Sequence, residues 1–359
     1  MPSKTQQTSK TSNQLPLVTS PAILKKAILY KLNSHISGRG ELVLPCLPGL
    51  LDYYMDIIDK LFSDLGRPMP EERQLQLRQM IQTKLAEGFS VSATSMLVIQ
   101  YELVKPPNTG MACQVSVRSP SMGEQYKSWL ETRKPPLFGS HPDAKVLATA
   151  AEIGKNASLR ILDVGGGTGR NALPLARNGH YVDVLELTPA FIEQLEAAVA
   201  TEKLSVNVIE GDILDPLIRM RPAFYQLAIA SEVVSHFRDV DQLRLFLAKM
   251  SDFICSGGLL LFNLFLTVDG YVPDRLVREM AQLSWSSLFT SQELVEAMEG
   301  LPLAIVSNEL VADYEYQHLP QEAWPPTSWF NSWATGRDVF PLANGRPPME
   351  LRWILCRRV

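Results

Sequence analysis

Residues 161–171 read ILDVGGGTGRN, and this stretch decides the fold. Ile161, Leu162 and Val164 form the short apolar run expected of a strand buried on both faces. The run leads into Gly165, Gly166, Gly167 and Gly169 and then into NALPLARNG, which is read as a helix. A glycine loop at this junction lets the backbone turn sharply and approach a ligand with no side chain in the way. It does so at a helix N-terminus, where the first N–H groups have no intrahelical partner. The glycines alternate as G-x-G-x-G behind an acid, Asp163, and do not form the G-x-G-x-x-G of a dinucleotide loop.

Outward from this stretch, strands and helices alternate. YVDVLEL, SVNVIEGD, AFYQLAIASE and GGLLLFNLF read as strands, with helices through AFIEQLEAAVATE and DQLRLFLAKMSDFI between them. That alternation calls for a mostly parallel sheet covered by helices on both faces. Gly257 and Gly258 read as the turn before the last of these strands. LAIVSNELVA and MELRWILCRR predict a terminal hairpin, joined by a long segment holding Trp324, Trp329 and Trp333. Upstream, helices are predicted in AILKKAILYKL, LLDYYMDIIDKLFSDLG and PEERQLQLRQMIQTKLAEGF, the last ending at Gly88. MLVIQYELV and ACQVSVRS then suit a hairpin about the loop KPPNTGM. The stretch from Ser121 begins helical, is interrupted at Pro135-Pro136 and resumes after His141-Pro142. The expected organisation is a flexible tail over 1–20, an α+β module over 21–118 for substrate recognition or dimerisation, and a catalytic domain with its cap segments over 119–359. No internal repeat of about 20 to 50 residues is present.

The chain has 359 residues, so an α/β core of about 200 leaves well over 100 for a second unit. An apolar share of 46% and a mean hydropathy of -0.01 are those of a globular protein. A net charge of -4 and a pI near 5.8 provide no basic field for general nucleic-acid binding. Cys46, Cys113, Cys255 and Cys356 are scattered singly, without metal-ligand spacing, which predicts reduced thiols and a cytoplasmic setting. No apolar run approaches the roughly 18 residues of a membrane span, and the N-terminus lacks the apolar core of a signal peptide.

The region from about 155 to 270 resembles the class I S-adenosylmethionine-dependent methyltransferase family, whose first motif reads acid-x-G-x-G-x-G as Asp163 to Gly169 do here. The resemblance implies a Rossmann-like, doubly wound, mostly parallel seven-stranded sheet with an antiparallel terminal strand. It also implies S-adenosylmethionine as cofactor, held by Asp163, Gly165, Gly166, Gly167, Gly169 and Asn171. Glu186, ending the second strand, would accept both ribose hydroxyls, with Leu187 beside it. Asp212 would face the adenine amino group, and Ile213 would offer its backbone N–H. Ser231 would complete this set.

SEVVSHFRDV looks like the acid-plus-histidine segment of small-molecule O-methyltransferases. It makes Glu232 and His236 the catalytic candidates, with His236 as general base. Relatives that bind a metal here use a second acid, which this chain lacks, so no metal is expected. Tyr126, Trp129 and Arg133 fall on one side of a helix. Tyr126 would close over the methionine end of the cofactor, and Arg133 is counted among the cofactor contacts. Trp285, Phe289, Trp324, Trp329 and Trp333 are candidates for the wall of an acceptor pocket.

The implied activity is direct methyl transfer to an oxygen or nitrogen of a small metabolite or peptide natural product, giving S-adenosylhomocysteine, with a homodimer through the N-terminal module as a further expectation. The alternatives are a nicotinamide-dependent oxidoreductase and a non-catalytic cofactor-binding regulator.

Overall fold

The structure is a computed structural model that describes residues 16–33, 35, 38–104, 110–132, 136–155, 157–268 and 270–359. After helix α1 (Pro21–Asn33), strands β1 (Arg39–Pro45), β2 (Met96–Leu103) and β3 (Met111–Arg118) form an antiparallel sheet in the order β1-β2-β3. Helices α2 (Leu51–Asp64) and α3 (Glu71–Val91) come between β1 and β2 in sequence and pack on the sheet. Leu77, Ile81, Leu85 and Gly88 lie on one face of α3 at helical spacing and meet Ile58, Phe62, Leu97 and Ile99 in a core of their own. Two elements differ from expectation. RGELVLP, with glycine near one end and proline at the other, has a weak strand signal by itself and becomes β1 through its register with β2. Gly88 does not end α3, which runs on to Val91. A Cβ there would sit 2.5 Å from the Cys46 sulfur, so glycine is required for close packing and not for capping.

Helix α4 (Met122–Thr132) and helix α5 (Ala144–Ile153) lead to the main sheet. Its parallel strands are β4 (Arg160–Val164), β5 (Tyr181–Glu186), β6 (Val206–Glu210), β7 (Tyr225–Ala230) and β8 (Ile254–Thr267). Helices α6 (Ala172–Arg177), α7 (Pro189–Glu202) and α8 (Val240–Phe253) connect them. Beyond β8 come α9 (Arg275–Leu283), the two-residue β9 (Leu288–Phe289), α10 (Ser291–Met298) and β10 (Leu303–Leu310). The chain ends with α11 (Val311–His318), α12 (Phe330–Ala334) and β11 (Met349–Arg358).

The strand order is β10-β11-β8-β7-β4-β5-β6, with β9 pairing with β8; β11 is antiparallel to both its neighbours. This is the doubly wound, mostly parallel sheet that the sequence pattern calls for, with the short β9 added. One apolar cluster lies on each face, through Ile161, Val184 and Leu261 on one side and through Leu162, Phe246 and Phe262 on the other. Gly257 and Gly258 do not precede the fifth parallel strand. They lie inside β8, where its register with β7 shifts, and Gly257 has φ 76°.

The chain leaves β4 toward β5 and β6 on one side, then returns to β7 and β8 on the other. The crevice at this reversal, at the strands' C-terminal ends, is where open α/β sheets bind ligands. The N-terminal sheet and helices dock nearby. Glu279 of α9 accepts the Gly49 N–H at 2.7 Å, Gln125 of α4 donates to the Thr94 hydroxyl at 2.6 Å, and Arg238 donates to the Phe89 carbonyl. No helix among the described residues is long and apolar enough to cross a membrane.

Candidate functional site

The crevice opens into a cavity of ≈ 1170 Å³, larger than the roughly 300–1,000 Å³ typical of a single small-ligand pocket. Gly165, Gly166 and Gly167 form its floor at the end of β4. Gly167, at φ 56°, has nothing within 4 Å of where a Cβ would stand, so its backbone faces open cavity. Gly169 plays a different part. It does not line the cavity, and a Cβ there would come within 2.6 Å of Leu195, so this glycine lets the loop pack on α7.

Glu186 ends β5 and is 6% exposed. Its two oxygens accept the Gly167 N–H at 2.8 Å and the Thr188 N–H at 2.7 Å. Each carboxylate oxygen accepts more than one hydrogen bond, so capacity remains for a ligand hydroxyl. Leu187 follows at the cavity edge. Asp212 and Ile213 line the far end, where Asp212 turns back to accept the Leu214 N–H at 2.8 Å. Lys249 of α8, unnoticed in the sequence, holds this loop by donating to the carbonyls of Ile213 (2.8 Å) and Asp215.

Along the cavity's inner wall runs a buried polar network whose connections the sequence did not reveal. Asp143, just before α5, accepts from Arg170, from Asn171 at 3.0 Å and from Ser231 at 2.7 Å, and its own N–H donates to Asn171 at 2.9 Å. Arg170 also donates to Glu232 at 2.8 Å. Asn171 and Ser231 line the cavity, and their side chains already serve Asp143. Burial works against charge on Arg170, and Asp143 and Glu232 more than offset it, holding the guanidinium protonated. Asp163 accepts the Ala172 N–H, while its Oδ2 is buried without a partner. Burial first, then the charges of Asp143 and Glu186, push its carboxyl up to about 7, against the pull of Arg170. Burial likewise raises Glu232 to about 7. Glu232 adopts φ 62°, a left-handed conformation, and its N–H is fixed by Asn263 at 2.7 Å.

Aromatic side chains wall the other half. Tyr126 meets Phe191 at 5.1 Å and Trp285 at 5.4 Å, while Trp129 stacks on Trp285 at 4.5 Å. Burial, then Glu186 and Glu232, raise the Tyr126 hydroxyl far above its ordinary value, so it stays protonated. Arg133, predicted on the same helix side, lies outside the described residues. His236, in a 3-10 turn over Val234–His236, stands edge-on to Trp285 at 4.9 Å. Burial pushes it down to about 4, partly countered by a hydrogen bond to the Glu232 backbone. Of the other candidate wall residues, Trp329 and Trp333 line the cavity. Phe289 is instead packed in the core and Trp324 against Tyr316 and Phe330. Phe138 and Phe191 belong to the wall and carried no sequence signal that singled them out.

Residues 161–258 match the model of a family described as a methyltransferase domain. Among solved structures, the chain is similar to a protein assigned as a sarcosine dimethylglycine methyltransferase from Galdieria sulphuraria, at 15% identity over 60% of this chain and 84% of that one, with a TM-score of 0.47. It is similar to the [4+2]-cyclase SpnF at 13% identity over 67% and 96%, with a TM-score of 0.46. It is also similar to geranyl diphosphate C-methyltransferase from Streptomyces coelicolor A3(2), at 15% identity over 65% and 96%, with a TM-score of 0.44. No curated protein matches. Residues 161–258 therefore carry a methyltransferase domain. The methyl donor of such domains is S-adenosylmethionine.

The cavity suits that cofactor. The partnerless buried Oδ2 of Asp163 awaits a donor such as an ammonium group, and the Gly167 backbone leaves room where any side chain would intrude. Among the described residues, no group of three or more His, Cys, Asp or Glu side chains is arranged to hold a metal ion.

Proposed function

We propose that the protein transfers the methyl group of S-adenosylmethionine directly to an oxygen or nitrogen of a small metabolite or peptide natural product, giving S-adenosylhomocysteine. One observation carries this reading: a single cavity runs from the glycine loop, Glu186 and Asp212 to an aromatic wall that includes His236. When bound, the cofactor supplies an electrophilic methyl on a sulfonium, so the protein's main task is alignment. Glu186 would hold the ribose, Asp212 and the Ile213 N–H the adenine, and Asp163 with the Gly167 backbone the methionine end, closed over by Tyr126.

His236 would act on the acceptor. The bond to the Glu232 backbone uses one ring nitrogen as donor, and in the neutral ring the other carries a lone pair. That lone pair can orient an acceptor hydroxyl or amine proton. A base held near 4 retains a proton poorly at neutral pH. Glu232, raised to about 7 in the same cavity, is the better group to hold the proton released as the methyl is transferred.

The test is calorimetric titration with S-adenosylmethionine and S-adenosylhomocysteine, with a Glu186→Ala variant and a nicotinamide cofactor as controls. Losing a hydrogen-bonded carboxylate is worth about 1.5–3 kcal/mol, so Glu186→Ala should weaken binding roughly tenfold or more. No binding to folded wild type, or tight saturable binding of the nicotinamide cofactor instead, sinks the reading. Full activity in His236→Ala with an identified acceptor removes His236 from the mechanism.

A further inference from the structure

The acceptor half of the cavity combines three features. Its walls are rings contributed by well-separated parts of the chain: Tyr126 and Trp129 from α4, Trp285 between α9 and β9, and Trp329 from the segment before β11. At its centre, Trp285 adopts φ 57°, a left-handed conformation that bulky residues rarely take. The conformation is held in place, because the Trp333 indole N–H donates to the Trp285 carbonyl at 3.0 Å. Trp285 and Glu232 are two of the four non-glycine residues with positive φ among those described, and both face this cavity on either side of His236. Strained residues of this kind gather where a ligand is positioned.

The third feature is charge. Among the described residues lining the cavity the one Lys or Arg is Arg170, and its guanidinium is already engaged by Asp143 and Glu232. Glu232 and Asp338 supply carboxyl groups, beyond the Asp163, Glu186 and Asp212 of the cofactor half. An anionic group entering this space would meet acids and no unpaired described cation, whereas a cationic group would meet acids and ring faces together.

We infer that the acceptor subsite takes a flat, aromatic molecule carrying no negative charge, with the Trp285 ring as the surface it lies against. This rests on the methyl-transfer reading above and narrows it. A cationic nitrogen is favoured over a neutral ring, and a neutral ring over a carboxylate or phosphate. Trp285 is then a specificity-determining residue, held at its angle by Trp333, and His236 meets the edge of the same ring.

Three probes of one ring system separate the contributions: tryptamine, indole and indole-3-acetate. Each is titrated calorimetrically into the full-length protein saturated with S-adenosylhomocysteine. Tryptamine and indole are expected to bind, with indole-3-acetate at least about tenfold weaker. Trp285→Ala should weaken tryptamine and indole about tenfold, and Trp285→Phe should keep them within about threefold of wild type. S-adenosylhomocysteine affinity, measured on each variant, shows that the cofactor half is intact. Indole-3-acetate binding as tightly as tryptamine overturns the inference, as does an unchanged indole affinity in Trp285→Ala. So does failure of all three probes to bind a protein that does bind S-adenosylhomocysteine. If wild type fails to bind S-adenosylhomocysteine, the methyl-transfer reading itself falls.

Discussion

Replacing Arg170 with methionine tests whether the polar network along the cavity's inner wall holds the site together. The Arg170 side chain is 10% exposed, and its partners Asp143 and Glu232 are 4% and 17% exposed, so neither carboxylate can recover full hydration when the guanidinium goes. Removing one partner of a buried ion pair costs about 3–5 kcal/mol. Two effects pull the expected loss toward the lower end. Glu232, already raised to about 7, can take up a proton and shed its charge. Asp143 keeps its hydrogen bonds from Asn171 and Ser231. The expected loss is therefore about 3 kcal/mol near neutral pH, a large part of a total stability of order 5–15 kcal/mol. It would be read from the urea midpoint followed by tryptophan fluorescence, with far-ultraviolet circular dichroism to check the fold. Arg170→Lys restores the charge without the two-pronged geometry and should recover only part of the loss. The gap between Arg170→Met and wild type should narrow toward pH 5, where Glu232 is protonated in both. An Arg170→Met protein within about 0.5 kcal/mol of wild type, the range of an ordinary surface substitution, would refute the network as a structural clamp.

Gly169→Ala should destabilise by about 2–4 kcal/mol, from backbone strain at φ 92° and a Cβ placed 2.6 Å from Leu195 and 2.8 Å from Leu173. An unchanged thermal midpoint would show that the loop shifts freely and that packing does not select this glycine. Stability should also fall as pH rises from about 4.5 to 7. Asp163, Glu232 and Glu315, the last buried on α11 where it accepts the Ala144 and Lys145 N–H groups, bind their protons more tightly in the folded chain, near 7, than in the unfolded chain, near 3.8 to 4.5. His236 acts the other way. Held near 4 when folded against an ordinary 6.5, it is protonated first in the unfolded chain and erodes stability on acidification. Three groups against one predict a higher urea midpoint at pH 6 than at pH 8, and the reverse order would show that the acids are not buried as the structure has them.

What was legible in the sequence was set by local rules, and what was not was set by distance along the chain. Ile161 to Asn171 could be read because a doubly buried strand, a glycine loop and a helix start each leave a local mark, and Glu186 could be read because a strand's end fixes where an acid must stand. Asp143 could not. It lies 28 residues before its partner Asn171 and 88 before Ser231, and nothing near it in sequence says that all three meet. Arg170 was in plain view between Gly169 and Asn171, yet its function comes entirely from Asp143 and Glu232, which the fold brings to it. Gly88 misleads for a related reason. Glycine near a helix end usually marks a cap, and only the Cys46 sulfur, from the far side of the N-terminal core, shows that the missing side chain makes room for a neighbour. The tryptophans show the limit most clearly. Trp324 and Trp329 are five residues apart in a segment with no regular period, so no rule of spacing assigns either to a face. The fold turns Trp329 into the cavity and Trp324 onto Tyr316 and Phe330. The aromatic wall of the cavity is drawn from such irregular segments, where periodicity is silent, whereas its glycine loop and Glu186 sit at strand ends that leave a local mark.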